Sequence, residues 1–263
     1  DCNVLLTGES GTGKNLIAKI IHFTSKRQNT PFLSINCATL TEDLLSSELF
    51  GHEKGAFTGA VTAKQGLVEI ADTGILFLDE IAELSPNLQA KLLKAVEEGE
   101  FYRVGGIKPL KVNVRFIAAT NQDVKNLLSE GKFREDLYYR LNIMEINLPP
   151  LRERKEDIKP LSMYFLQKHL SKSNKKITGF TEDAMDILIN YSFPGNVREL
   201  ENIIERAIIL EKGSLITPES LPHGIRVLRI ETVEPGKIKT VDELTKEYAE
   251  KVVKMLDGNR TKA

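Results

Sequence analysis

The run Gly8-Glu-Ser-Gly-Thr-Gly-Lys14 has the spacing of a phosphate-binding loop, Gly8-x-x-x-x-Gly13-Lys14. The glycines Gly8, Gly11 and Gly13 let backbone N–H groups across Glu9, Ser10 and Thr12 turn inward around β- and γ-phosphates. Lys14 adds a point charge, and the helix that follows adds partial positive charge at its N-terminus. Asn15 stands where a hydroxyl ligand for Mg²⁺ is usual, and it offers a carbonyl oxygen instead. Asp79-Glu80 closes the apolar run Ile75-Leu-Phe-Leu, at the strand end where open α/β sheets bind ligands. There Asp79 can hold Mg²⁺ through water, and Glu80 can orient and polarise an attacking water. Alone, such an acidic pair would read as a solvated turn; beside this loop it reads as the second half of an ATPase site.

Between those halves lies Gly55-Ala-Phe-Thr-Gly-Ala60. Gly55 and Gly59 give it flexibility. Phe57 is a compact aromatic anchor for a partner surface, and Thr58 adds a hydroxyl and a methyl. Ala56 and Ala60 are too small, and the flanks too polar, for a core strand. The segment reads as a mobile probe that pushes on a partner protein.

Further polar residues fall at places that can serve the same site. Thr120 and Asn121 end a strand and can reach the γ-phosphate or the water; otherwise they cap a loop. Asn36 ends another strand and can hold Glu80 away from the water; otherwise it is a turn residue. Arg134 and Arg140, six positions apart, lie away from their own phosphate loop and suit supply from a neighbouring subunit. Their plainer reading is a surface ion pair with Glu135 or Asp136. Arg198 begins a helix and can close onto the phosphates in cis, or remain a solvated first-turn arginine.

The elements that must position these residues follow from periodicity. Up to about residue 150, strand-like runs alternate with helical patterns, which predicts a parallel α/β sheet. Strands are expected at residues 4–7, 32–36, 75–78, 114–119 and 144–148, the last more exposed on one side. The helix after Lys14 is expected to bury Leu16, Ile17, Ile20 and Ile21, and one after Pro86 to bury Leu88, Leu92, Leu93 and Val96. Pro149-Pro150 breaks the pattern and is expected to act as a hinge. Residues 151–222 then read as a helical lid subdomain. Its last helix has Asn196 as N-cap and Glu199 three positions on, a capping-box arrangement. Residues 223–239 read as a linker. Residues 240–263 read as one helix of a further, truncated domain, and the native N-terminus is expected to lie upstream of Asp1.

The 263 residues suffice for one large or two modest domains, and 28% charged residues against 41% hydrophobic ones suit a soluble globular chain. A net charge of −1 excludes a global basic footprint for nucleic acid. No apolar run approaches the roughly 20 residues of a membrane span, and no membrane partner is expected. Cys2 and Cys37 form no metal or disulfide framework, and the four histidines are scattered, which fits a reducing, cytoplasmic setting.

Together these motifs resemble the AAA+ ATPases, and more narrowly the central domain of NtrC-type bacterial activators of sigma-54 RNA polymerase. The resemblance covers residues 1 to about 222. It is carried by the phosphate loop and by Glu-Leu-Phe-Gly-His-Glu-Lys-Gly-Ala-Phe-Thr-Gly-Ala, Ala-Asp-Thr-Gly-Ile-Leu-Phe-Leu-Asp-Glu, Phe-Arg-Glu-Asp-Leu-Tyr-Tyr-Arg-Leu, Pro-Leu-Arg-Glu-Arg and Phe-Pro-Gly-Asn-Val-Arg-Glu-Leu. It implies an α/β P-loop NTPase fold with a helical lid, acting on ATP with Mg²⁺.

The resemblance also assigns roles. Asp79 and Glu80 become the Walker B pair, Asn36 the residue that switches the glutamate, and Thr120 and Asn121 the first sensor. Arg134 and Arg140 become trans-acting arginine fingers, and Arg198 the second sensor. Residues 102–109 become a second loop that moves with residues 55–60, with Arg103 expected to pair with Glu53. Asn15 departs from the glutamate the family often carries there. Implied partners are the sigma-54 RNA polymerase holoenzyme, a homo-oligomeric ring of six or seven subunits, and enhancer DNA through a Fis-type helix-turn-helix begun at residue 240. The regulatory domain usual in two-component members of the family is expected to lie outside these residues. Two other readings stay open: a different AAA+ remodeller, which would not need the aromatic loop, and a regulator that binds DNA and nucleotide without turnover.

Overall fold

The computed structural model describes residues 1–173 and 175–226. The helix expected at 240–263, and the linker beyond residue 226, lie outside the described residues. The chain opens with β1 (Val4–Thr7), α1 (Lys14–Phe23), β2 (Phe32–Asn36) and α2 (Glu42–Phe50), followed by a short hairpin, β3 (Gly51–His52) and β4 (Lys64–Gln65). Then come α3 (Leu67–Ile70), β5 (Ile75–Asp79) and α4 (Pro86–Glu97). A second hairpin, β6 (Glu100–Tyr102) with β7 (Pro109–Lys111), precedes β8 (Arg115–Thr120), α5 (Val124–Ser129), α6 (Glu135–Leu141) and β9 (Met144–Asn147).

The main sheet is parallel, with order β2-β5-β8-β1-β9. Its central strands β5 and β8 are covered on both faces and are apolar almost throughout, as parallel strands between helices must be. Register sets the strand ends in one row: Asn36 opposite Asp79, and Thr7 opposite both Thr120 and Asn147. The polar residues therefore gather at the carboxyl edge, where the chain turns into loops.

The helix after Lys14 forms, but with a different face inward. It buries Lys14, Ala18 and His22; Ile17 and Ile21 pack partly buried against the core as expected, while Leu16 and Ile20 stand 62% and 46% exposed. The reason is that α1 is aimed by the phosphate loop, whose lysine must enter the site, and apolar periodicity does not register that demand. The helix after Pro86 buries Leu88 and Leu92 as expected, and Ser85 caps it by accepting from Leu88 N.

The lid carries α7 (Ile158–Leu170), β10 (Gly179–Phe180), α8 (Glu182–Asn190), α9 (Asn196–Leu210), β11 (Leu215–Ile216) and α10 (His223–Arg226). It has a core of its own, with Leu151, Ile158, Leu188, Phe193, Leu200 and Ile204 wholly buried. The turn at 223–226 falls where a linker was expected, and Ile225 packs into that core. The cap of α9 is displaced by one residue: Gly195 is the N-cap, and Glu199 Oε2 accepts from Gly195 N at 2.7 Å. Asn196 is thereby freed for another task.

Candidate functional site

An open cleft of about 380 Å³ lies between the sheet edge and the lid. Ser10, Gly11, Gly13, Lys14 and Asn15 line it from the phosphate loop, Asp79 from the end of β5 and Glu80 from the turn after it, and Arg198 from α9. Leu161, Tyr164, Phe165 and Val197 give it an apolar wall on the lid side, with Leu16 of α1 facing them across the cleft mouth. One cleft thus combines convergent cations, a carboxylate pair and an apolar surface, the composition expected of a nucleotide site.

Lys14 is buried, and its Nζ donates to Gly8 O at 2.8 Å and Glu9 O at 3.2 Å. Burial pushes its pKa down, and the carboxylates of Glu80 and Asp79 pull partly the other way. Carbonyl dipoles hold the ammonium where phosphate oxygens can replace them. Thr12 closes the loop, its Oγ1 donating to Glu9 O at 2.8 Å. Gly8, Glu9 and Thr12 form this back wall and do not line the cleft; the Glu9 carboxylate turns away toward the lid. Asn15 is exposed at the mouth.

Glu80 adopts a left-handed backbone, φ 53°, rare for a residue with a side chain. Such strain costs about 1–3 kcal/mol and persists only where the surroundings enforce it. Here Asp79 Oδ1 accepts from Glu80 N at 3.2 Å, and Glu80 Oε2 accepts from Asn121 N at 3.2 Å. Thr120 is wholly buried, and its Oγ1 accepts from Gln122 N at 3.0 Å, shaping the turn that presents Asn121. The expected link from Asn36 to Glu80 is not formed: Asn36 Oδ1 accepts from Ala38 N at 2.8 Å. Nearby Cys37 has its thiol pushed up to about 12, by burial first and then by Asp79 and Glu80, so it stays protonated.

Arg134 and Arg140 lie outside the cleft. Arg134 is the N-cap of α6; its backbone N–H donates to Gln89 Oε1 at 2.8 Å, and its guanidinium forks onto Asp136 at 3.0 and 2.7 Å. Arg140 pairs with Glu97 on α4. Arg198 Nη1 reaches Ser10 Oγ at 3.4 Å, at the edge of the cleft.

The segment 55–60 is the tip of the β3–β4 hairpin. Gly55 N donates to Ala60 O at 2.9 Å and Ala60 N to Phe57 O at 3.0 Å, so the tip closes on itself. Gly55 and Gly59 have φ of 82° and 112°, values that side chains resist, and nothing packs on either. Phe57 is 46% exposed and stands edge-on to the His52 ring at 5.0 Å. His52 Nδ1 lies 2.8 Å from Ser47 Oγ on α2, so the aromatic tip rests on the helix that leads into the hairpin. Arg103 joins the two loops: it donates to Glu53 at 3.1 Å, as expected, and also forks onto Glu69 at 2.9–3.1 Å. Periodicity gave no sign of Glu69, because a bidentate partner is set by tertiary approach.

The phosphate loop has further partners that residue spacing does not reveal. Arg152 and Arg154, just past Pro150, and Asn196 all bond to the phosphate loop. The Pro-Leu-Arg-Glu-Arg string held that signal, but spacing alone does not say where an arginine reaches.

Residues 1–147 match the sigma-54 interaction domain, and residues 152–238 match the AAA+ ATPase lid domain. The chain is 49% identical to the transcriptional regulatory protein ZraR of Klebsiella oxytoca, over 100% of this chain and 60% of that protein. It is 54% identical to the Nif-specific regulatory protein of Rhodobacter capsulatus over 218 residues, 83% of this chain and 38% of that one. The crystal structure of NtrX from Brucella abortus in complex with ADP superposes with a TM-score of 0.79 at 39% identity, covering 85% of this chain and 50% of NtrX. A second NtrX crystal structure holds ATP. The chain spans about 60% of the length of the ZraR relative. It belongs to the sigma-54 interaction domain family, the AAA+ central domain of NtrC-type sigma-54-dependent activators.

Proposed function

We propose that this AAA+ domain hydrolyses ATP and uses it to remodel the closed promoter complex of sigma-54 RNA polymerase through residues 55–60, permitting open-complex formation. One observation carries the reading: Lys14, Asp79, Glu80 and Arg198 converge on one cleft, while an exposed Phe57 tip is braced on α2 through His52 and Ser47. The relative NtrX, which binds ADP and ATP, supports nucleotide as the ligand.

In this reading loop amides from Gly8 to Gly13 cradle the phosphates, and Lys14 Nζ exchanges its two carbonyls for phosphate oxygens. Asp79 would hold Mg²⁺ through water. Its carboxylate lines the cleft beside the phosphate loop, a placement that suits Mg²⁺ shared between one carboxylate and substrate phosphates. The ion supplies neutralisation of phosphate charge. Glu80 orients the attacking water and takes its proton. Asn121, presented by Thr120, fixes the Glu80 carboxylate, and Asn36 engages it in the other state of a switch. Arg198 reads the phosphates in cis. Arg134 and Arg140 serve the neighbouring subunit of a hexameric or heptameric ring, after releasing Asp136 and Glu97. Asn15 leaves the loop without the usual hydroxyl for the metal. A shift at Glu80 would pass through α2 to the hairpin.

In the whole protein the chain would act in the cytoplasm, bound to enhancer DNA by segments beyond residue 240. No helix among the described residues is long and apolar enough to cross a membrane. The test is the rate of ATP turnover per subunit against protein concentration, with Arg134→Ala alongside. A rate that rises with concentration and collapses in the variant is expected. A concentration-independent rate that survives the substitution would mean a self-sufficient monomer and would sink the ring mechanism.

A further inference from the structure

A carboxylate inside a phosphate-binding loop is electrostatically adverse unless it is turned away and neutralised. Glu9 meets both conditions. Arg152 Nη1 and Nη2 donate to its two oxygens at 2.9 and 2.7 Å, a fork that is both strong and directional. Asn196 Nδ2 adds a third bond at 3.1 Å.

Asn196 is wholly buried and sits at a left-handed φ of 53°. Its amide is fully committed: Nδ2 also donates to Ser10 O at 3.0 Å, and Oδ1 accepts from Leu151 N at 2.8 Å. One side chain therefore ties the start of α9, the segment after Pro149-Pro150, and the phosphate loop. Backbone follows side chain. Val197 N and Arg198 N both donate to Gly11 O, at 3.0 and 3.3 Å. Any Cβ at Gly11 would lie 2.3 Å from Gly195 O, so loop and lid meet without room for a side chain. Arg154 Nη2 donates to Thr12 O at 2.9 Å.

The same Glu9 whose carboxylate is held by the lid gives its carbonyl to Lys14 Nζ. A displacement of the lid is thus one residue removed from the ammonium that meets the phosphates.

We infer that Glu9, Arg152 and Asn196 are positioning residues that latch the lid to the phosphate loop, so that lid position sets the rate at which product nucleotide leaves. The proline pair then cannot act as a free hinge: the lid moves only with the loop, or after the latch opens. The inference rests on the nucleotide-site reading above and adds to it a control of release.

The test is stopped-flow release of a fluorescent ADP analogue from wild type, Glu9→Ala, Arg152→Ala and the double variant. Each single change is expected to speed release about two- to fivefold, the scale of a lost ion pair whose two partners are partly exposed. The double variant should be no faster than the singles, because both remove one coupled unit. Release at the wild-type rate in the singles, or effects that multiply in the double, overturns the latch while leaving the nucleotide site standing. Failure of wild type to bind the analogue overturns both. If an alanine variant melts early, Glu9→Gln and Arg152→Lys carry the same comparison, with faster release in each and no multiplication in the pair.

Discussion

The phosphate loop and the loop at residues 55–60 are both glycine-rich, yet the molecule treats them in opposite ways. The first is tied down from every side: its lysine is buried, and the lid bonds to it through Arg152, Arg154, Asn196 and backbone N–H groups. The second is held at its base by the short β3–β4 pairing and by the Arg103 forks, and more lightly at its tip, where Phe57 meets the His52 ring and Ala56 lies close to Gly105. Its glycines face open space and its phenylalanine faces solvent. Glycine in the first loop permits close backbone approach; in the second it permits backbone angles that leave a tip free. Charge must be met at fixed distances, whereas an exposed tip carries no such demand.

The largest effect that would sharpen the contrast is at Glu80. Glu80→Gln is expected to lower ATP turnover by about 10²–10⁴-fold, the usual contribution of a general base, while nucleotide affinity measured by fluorescence titration stays near wild type. Turnover within a factor of a few of wild type would remove Glu80 from the chemistry.

Next come the two kinds of glycine. Gly11→Ala forces a methyl against Gly195 O and should destabilise by several kcal/mol, roughly the upper range for overpacking together with backbone strain. Gly55→Ala, with no neighbour to strike, should cost about 1–2 kcal/mol from its positive φ alone. Urea melts of the two variants would show the difference, and equal losses would mean that the loops are not packed differently.

A smaller effect concerns the end of the lid. Glu211 accepts from Ser220 Oγ, Gly213 N, Thr217 N and Lys212 N, and these bonds, Ser220 first, lower its pKa from 4.5 to about 2. A depressed carboxylate stabilises the fold fully above its unfolded pKa and loses that contribution as pH falls toward the folded value. The thermal-melt gap between wild type and Glu211→Gln should therefore be constant above about pH 5 and close between about pH 4.5 and 2. A gap independent of pH would mean that the knot works by shape rather than by charge.

The sheet was legible because buried parallel strands must be apolar: residues 4–7, 32–36 and 75–78 announce themselves, and the polar residues that end them follow. The face of α1 was not, since Lys14 fixes its rotation against the apolar pattern of Leu16 and Ile20. The cap of α9 was misplaced by one residue because Asn196 looks like a cap and is instead a buried bridge to Ser10 and Leu151. Asn36 and Glu80 stand at neighbouring strand ends as expected, yet their side chains turn to Ala38 and Asn121, a choice made by local backbone geometry. Long-range partners such as Arg152 with Glu9, or Arg103 with Glu69, need the fold before they can be seen.

The most direct test of the account is Phe57→Ala followed in two assays on one preparation, ATP turnover and open-complex formation by sigma-54 RNA polymerase. Phe57 is half exposed, and the substitution should change stability by no more than about 0.5 kcal/mol. Turnover near wild type is expected, with open-complex formation lost. Open complexes formed at the wild-type level would contradict it, because the tip would then not be the part that meets the polymerase.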